Sequence, residues 1–300
     1  AGKGWRVYYY ELQLLSMAGM LHAPVLEKYW ATEHFATMAQ FYKDASEGTL
    51  PDYAFIEPRM VYNHNDFHPP FGALRESAID GEVVVDSAVS DVRAGEALVH
   101  DVYNAIKHSA TDKGSNALNT LLLITFDEHG GTYDHVAPPS ATPPHPNTQP
   151  GEMGFTFDRL GLRVPAIAVS AYTRAGTIIT DEMHQGSVIS TLSRQHGLKP
   201  LNQRDAGANN LYNVVNLTEP RDPRTWPSPT PQFLPANPQA TAPHPAHSHK
   251  DKPLSPPGRG LVGLLLARYG SADEKEDGAL TYSEAYNAIH KHGEGLFGKR

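Results

Sequence analysis

Twelve of the 25 prolines in this 300-residue chain fall between Pro220 and Pro257, and that distribution separates what can form a core from what cannot. Proline lacks an N–H and fixes φ, so a stretch this rich in it is barred from helix interiors and central strands. Residues 219–260 are therefore expected to be an extended connector or surface wrap. The segment's His244, His247 and His249 are assigned no role. Residues 261–300 are expected to form a helical tail: Thr281-Tyr282-Ser283-Glu284 has the spacing of a capping box, and Ala285, Ala288 and Ile289 follow at helical intervals. The core falls to residues 1–218.

Within those residues, strand and helix patterns alternate. Gly4 to Tyr10 reads as a strand, and Tyr53 to Glu57, Leu121 to Phe126 and Pro165 to Ser170 read as short buried strands ended by polar or turn residues. Val92, Val99, Val102 and Ile106 recur at helical spacing, with Ser90 or Asp91 able to cap the start, and a second helix is expected over Gly186 to His196. Strands alternating with helices predict an α/β layered domain over residues 1–218.

Charge and composition narrow the function. A formal charge of -8 gives no general attraction for nucleic-acid backbones or anionic lipid, which are bound through dense Lys and Arg; no nucleic-acid partner is expected. The absence of Cys excludes disulfide scaffolds, thiolate metal sites and a Cys nucleophile. The longest apolar run, Leu261 to Ala267, is far short of the roughly 20 residues that span a bilayer, so no transmembrane segment is expected. Gly-x-Ser-x-Gly, a phosphate-binding P-loop, His-Glu-x-x-His and the dinucleotide fingerprint are all missing from the sequence.

The chemistry concentrates where Leu121-Leu122-Leu123-Ile124-Thr125-Phe126 runs into Asp127-Glu128-His129-Gly130-Gly131-Thr132-Tyr133-Asp134-His135. An apolar strand stops in two adjacent acids, and glycines let the backbone turn tightly behind them. Ligands of open α/β sheets bind beyond the carboxyl ends of strands. Two carboxylates there, with a second Asp-His pair, supply oxygen and nitrogen donors suited to a divalent cation; a solvated polar turn is the competing reading. A second cluster, Glu57-Pro58-Arg59-Met60-Val61-Tyr62-Asn63-His64-Asn65-Asp66-Phe67-His68-Pro69-Pro70, brings Asn, Asp and His together after a strand, where they could hold a metal, bond an anionic oxygen, or simply form a surface turn. His184, just ahead of the second helix, could reach a ligand or cap that helix.

Taken in order, these segments resemble the family of phosphoesterases that includes bacterial phospholipase C, acid phosphatase and plant non-specific phospholipase C. The likeness covers roughly residues 3–218 and rests on Gly4-Trp5-Arg6-Val7-Tyr8-Tyr9, Glu57-Pro58 with Asn65-Asp66-Phe67-His68-Pro69, Asp91-Val92, Thr125-Phe126-Asp127-Glu128-His129-Gly130-Gly131, Tyr133-Asp134-His135-Val136, Arg163-Val164-Pro165, His184 before Ser187, and Gln203-Arg204-Asp205. It implies an alkaline-phosphatase-like layered sheet with flanking helices, and a divalent metal of undetermined identity held by Asp127 and Glu128. It also implies His68 as a catalytic contact to the phosphate, with Asn65, Asp66, Asp134, His135 and His184 at the phosphate or behind the ligands. The implied substrate is a phospholipid or a small phosphomonoester, cleaved through attack by a hydroxyl. The family's Glu-Asn-x-Ser-Phe-Asp motif and its Thr or Ser nucleophile do not occur in these 300 residues, and Ser90 stands where many members have His. The chain is accordingly expected to be the C-terminal portion of a phosphoesterase, or a shortened relative that binds without catalysing. Localisation is left open, with export or a membrane surface compatible with the resemblance.

Overall fold

The computed structural model of the chain describes residues 2–10, 16–30, 32–59, 65–67, 76–79, 82–85, 92–109, 112–231, 256–279, 281, 284–285, 287–288 and 291–292. The chain divides into two compact units, one of Gly4–Ala105 with Ser228–Arg300, the other of Ala1–Lys3 with Ile106–Pro227. Both mix strand and helix, as the alternating pattern predicts.

In the first unit, β1 (Trp5–Tyr9) lies between β2 (Phe35–Thr37) and β3 (Tyr53–Ile56), parallel to both. Val7 pairs with Phe35 on one side and with Phe55 on the other. As the middle strand, β1 buries Val7 and Tyr8. Parallel strands need crossovers. Between β1 and β2 run α1 (Met17–Leu21) and α2 (Ala23–Leu26), and between β2 and β3 runs α3 (Met38–Glu47). Thr37 caps α3 by accepting the Gln40 N–H at 3.3 Å, and Gly48, at φ 75°, stops it. Met38, Phe41 and Ala45, three and four residues apart, form its buried stripe, and Phe41 meets Tyr8 edge-on at 5.3 Å.

The same stripe carries a buried acid. Asp44 accepts from Tyr8 Oη (2.6 Å), Gln40 Nε2 (2.8 Å), Thr49 Oγ1 (3.0 Å) and the Arg6 guanidinium. Burial opposes its ionisation, but the bonds from Tyr8, Gln40 and Thr49, together with the Arg6 charge, hold its pKa below the usual value. Glu57, immediately after β3, is also buried. Its carboxylate accepts from Ser16 Oγ (2.7 Å) and from the Met17 and Ala18 N–H groups (2.7 and 3.0 Å). A carboxylate at the start of α1 takes up N–H groups that the helix cannot satisfy itself. The Glu57-Pro58 of the sequence motif thus fastens α1 to the end of β3.

The unit also contains an antiparallel hairpin of β4 (Glu76–Ile79) and β5 (Glu82–Val85), and most of α4 (Val92–Lys107). Gly95 on α4 lets Phe67 approach closely, since a Cβ there would sit 2.6 Å from the ring. Ser90 and Asp91, the expected caps of α4, lie outside the described residues. C-terminally, α7 (Pro256–Tyr269) precedes α8 (Ala272–Asp277). The helical tail begins at Pro256 instead of at 261, because proline is well suited to a first helical turn whose N–H groups have no intrahelical partner. The capping box at Thr281 forms: Glu284 N–H reaches Thr281 Oγ1 at 3.3 Å and Thr281 N–H reaches Glu284 at 2.9 Å.

In the second unit, β6 (Leu122–Thr125) pairs antiparallel with β7 (Ala166–Val169), Leu122 opposite Val169. Beyond them, α5 (Gly186–His196) spans the residues expected and ends on Gly197 at φ 63°. The next helix, α6 (Gln203–Gly207), starts with a capping box of Asn202 and Asp205. The strands read as buried are less so: Phe55 is 42% and Ile167 57% exposed. β3 is an edge strand of three, and β6 and β7 form a sheet of two, so neither arrangement covers both faces among the described residues. The Pro-rich residues 232–255 lie outside those described, and no helix among those described is long and apolar enough to cross a membrane.

Candidate functional site

The acid loop leaves β6 at Thr125. Phe126, next in line, is fixed by Gln185 at the start of α5, whose Nε2 donates to the Phe126 carbonyl at 2.6 Å. This bond ties the end of the strand to the neighbourhood of His184. Asp127 and Glu128 follow, both exposed. One oxygen of each carboxylate is used locally: Asp127 Oδ1 accepts the Glu128 N–H at 3.1 Å and Glu128 Oε2 accepts the Gly130 N–H at 2.9 Å. The chain then reverses. His129 and Thr132 share three bonds: Thr132 N–H (3.1 Å) and Oγ1 (2.6 Å) donate to the His129 carbonyl, and His129 Nδ1–H donates to the Thr132 carbonyl at 3.0 Å. Between them Gly130 and Gly131 take φ of 62° and 74°. Two successive left-handed residues are strained for any side chain, so the paired glycines of the motif are explained by the backbone of the turn.

Asp134 has a different role from its sequence neighbours. Arg163 grips it through two bonds, Nε to Oδ2 at 2.7 Å and Nη2 to Oδ1 at 2.8 Å, and Oδ1 also accepts the Val136 N–H at 3.0 Å. These bonds, Arg163 foremost, hold the carboxyl far below the usual carboxylate range. Asp134 therefore tethers the loop to the approach to β7. His135 stays exposed, its Nδ1 3.7 Å from Asp134 Oδ1.

His184 is half-buried ahead of α5. Its ring Nδ1 accepts the Gly186 N–H at 3.1 Å, its own N–H donates to Ser187 Oγ at 3.1 Å, and its carbonyl accepts the Ser187 N–H at 2.7 Å. An Nδ1 that accepts leaves the ring proton on Nε2. Of the two roles open to it in the sequence, capping is the one these bonds perform. Burial first, then the charge of Arg204, lowers its pKa from 6.5 against the pull of Glu182 and Asp205. An NMR titration is expected to place its midpoint below 6.5; a midpoint above that value would contradict the buried, Nδ1-accepting ring.

Of the second cluster, Asn65 is buried and clamps its own loop. It accepts the Arg59 N–H on Oδ1 at 2.5 Å and donates its own N–H to the Arg59 carbonyl at 3.1 Å. Asp66 is half-buried, and His68 lies outside the described residues. These residues belong to the first unit and the acid loop to the second. Among the described residues no three His, Asp or Glu are gathered to hold one metal ion. Asp127 and Glu128 offer two carboxylates, a partial set. Gln185 and Arg163, which brace the loop, were invisible as partners in the sequence because they lie 59 and 29 residues from the groups they hold.

Residues 1–199 match the model of the Phosphoesterase family. Among curated proteins, the chain is 36% identical over 211 residues to non-specific phospholipase C6 of Arabidopsis thaliana, covering 64% of this chain and 36% of that protein. It is 34% identical to non-specific phospholipase C3 of the same plant, over 60% of this chain and 33% of the relative. It is also 30% identical to phospholipase C A of Mycobacterium tuberculosis (strain ATCC 25618 / H37Rv), over 34% of this chain and 22% of that protein. The chain thus spans about a third of the length of the plant relatives it matches. With the family model covering residues 1–199, and so including both sequence clusters and the whole of the acid loop, this chain belongs to the phosphoesterase family.

Proposed function

We propose that this chain carries part of the active site of a phospholipase C-type phosphoester hydrolase, and that its strands belong to an alkaline-phosphatase-like sheet. The observation that supports it most is that the matched region contains the strand-end acid loop, and that the relatives sharing it are phospholipases C by name. The substrate on this reading is a phospholipid, with a small phosphomonoester as the other phosphoester of the same chemistry. Asp127 and Glu128 are the acidic groups facing solvent where the strand ends, and His68 is the residue assigned to the phosphate. Asn65 and His184 support their loops from within, Asp134 braces the acid loop through Arg163 with His135 exposed beside it, and Asp66 stands next to Asn65.

The reading includes a divalent cation near Asp127 and Glu128, whose oxygens suit Mg²⁺, Ca²⁺ or Mn²⁺. When bound, such an ion stabilises charge on a phosphoryl oxygen. The described residues offer it two donors, where these ions take about six or more. Nucleophilic attack by a hydroxyl is part of the same proposal, with the nucleophile unassigned in this chain.

The test is hydrolysis of phosphatidylcholine, a chromogenic phosphodiester and a chromogenic phosphomonoester, each with Mg²⁺, Ca²⁺, Mn²⁺ or chelator. Metal-dependent release of phosphocholine supports the phospholipase reading, and preference for the monoester moves the substrate to the phosphatase class. No release from any substrate under any metal overturns the assignment of hydrolysis to this chain.

A further inference from the structure

Residues 127–132 carry the two acids, and among the described residues their hydrogen bonds run only within that stretch. Asp127 takes the Glu128 N–H, Glu128 takes the Gly130 N–H, and His129 and Thr132 close on each other. Such a turn keeps its own shape, but its orientation within the second unit is set by whatever holds its two ends. At the far end that is the Asp134–Arg163 pair. At the near end, Thr125 closes β6 with its Oγ1 donating to the Pro165 carbonyl at 3.2 Å. The next carbonyl, that of Phe126, accepts Gln185 Nε2 at 2.6 Å. This carbonyl shares its peptide with the Asp127 N–H. Peptide units are planar, so fixing the one fixes the direction in which the chain enters Asp127.

The backbone that carries Gln185 is pinned on both sides. His184 Nδ1 accepts the Gly186 N–H at 3.1 Å, the His184 carbonyl accepts the Ser187 N–H at 2.7 Å, and the Gln185 carbonyl accepts the Val188 N–H at 3.3 Å. Gly186 lies so close to His184 that a Cβ on it would sit 2.7 Å from the ring. Upstream, Asn209 Nδ2 holds the Glu182 carbonyl at 2.8 Å and Asn213 Nδ2 holds the Asp181 carboxylate. Gln185 is itself exposed, so it adds little to stability through burial. What it makes instead is one directed bond across 59 residues of sequence, from a fixed point at the start of α5 to the last peptide before the acids.

We propose that Gln185 is a positioning residue for the acid pair: through the Phe126 carbonyl it sets the direction in which Asp127 and Glu128 present their carboxylates at the end of β6. It acts only through the backbone and touches no reacting group. Misplacing a reacting constellation by about 1 Å can cost about a hundredfold in rate. The consequence for turnover rests on the hydrolase reading, and the consequence for the geometry of the loop does not.

Three substitutions in the whole chain form the test. Gln185→Met keeps the length of the side chain and removes the donor, Gln185→Glu keeps the shape and offers only acceptors, and Gln185→His, neutral at pH 8, keeps an N–H. With a chromogenic phosphodiester and saturating Mn²⁺ at that pH, kcat is expected to fall about tenfold or more in Gln185→Met and Gln185→Glu, with KM within about twofold of wild type. Gln185→His is expected to recover part of the loss, and the urea midpoint of each variant is expected to stay at that of wild type. In the metal-free chain, the backbone amide resonances of Asp127, Glu128 and Gly130 are expected to shift in Gln185→Met while those of α5 hold. Turnover by wild type with an unchanged kcat in Gln185→Met overturns the positioning role and leaves the hydrolase reading intact. A loss accompanied by a lowered urea midpoint and by shifts throughout α5 also overturns it, since Gln185 is then holding the fold. No turnover by wild type removes the hydrolase reading, and the amides then decide alone: shifts confined to the acid loop support the role of Gln185, and unshifted resonances reject it.

Discussion

Asp127→Asn is expected to lower kcat/KM for phosphoester hydrolysis by about a thousandfold, the scale of the several kcal/mol that charge stabilisation contributes to such a transition state. The substitution is chosen because it separates charge from shape. Asn keeps the side-chain oxygen that takes the Glu128 N–H at 3.1 Å, so the turn into Gly130 and Gly131 is preserved. What disappears is the negative charge at the strand end. Glu128→Gln is expected to act in the same direction, since its Oε2 bond to the Gly130 N–H likewise survives in the amide. Asp222→Asn removes a carboxylate from an exposed pair with Arg224, 2.5 Å apart, and is expected to leave turnover unchanged. Steady-state kinetics with saturating divalent metal reads all three. Asp127→Asn turning over within tenfold of wild type would remove that carboxylate from the chemistry.

The sequence made the acid loop visible and its supports invisible, and the difference is physical. A strand ending in Asp-Glu before Gly-Gly is a local pattern: apolar burial, a tight reversal and exposed charge all leave their mark within fifteen residues. The bonds from Gln185 to Phe126 and from Arg163 to Asp134 leave none, because nothing in the spacing of a side chain and a distant backbone carbonyl or carboxylate records that they meet. His184 was readable as a cap or as a ligand, and only the direction of the Gly186 N–H onto its Nδ1 separates the two. Among the elements, α4 and α5 announced themselves through periodic apolar residues and a terminal Gly197. The short α1, α2 and β2 did not, being too brief to establish a period. The β4–β5 pair carries a local signal in the sequence, Asp80-Gly81 between two runs of strand-forming residues. His68 falls outside the described residues, so its assignment still rests on resemblance.

The largest effect on stability is expected at Asp44, which no motif marks. Asp44→Ala is expected to destabilise the fold by about 3–5 kcal/mol, the usual result of removing one partner from a buried ion pair. The side chain of Asp44 is 5% exposed and that of Arg6 19%, so the cation left behind has little water to turn to. Tyr8 Oη, fully buried at the centre of the sheet, loses its 2.6 Å acceptor as well. Asp44→Asn retains an acceptor for Tyr8 and fills the same volume, and is expected to fall between alanine and wild type. Because the folded pKa of Asp44 lies below its ordinary 3.8, the folded state holds its proton less tightly than the unfolded state. The stabilisation is then complete above that ordinary value and disappears as pH falls through the lower folded one. Urea unfolding at pH 7 and across pH 2–5 checks both statements. The gap between wild type and Asp44→Ala is expected to narrow as the pH falls below 3.8, and a gap that stays constant over that range would show that the packing lost with the side chain, not its charge, sets the loss.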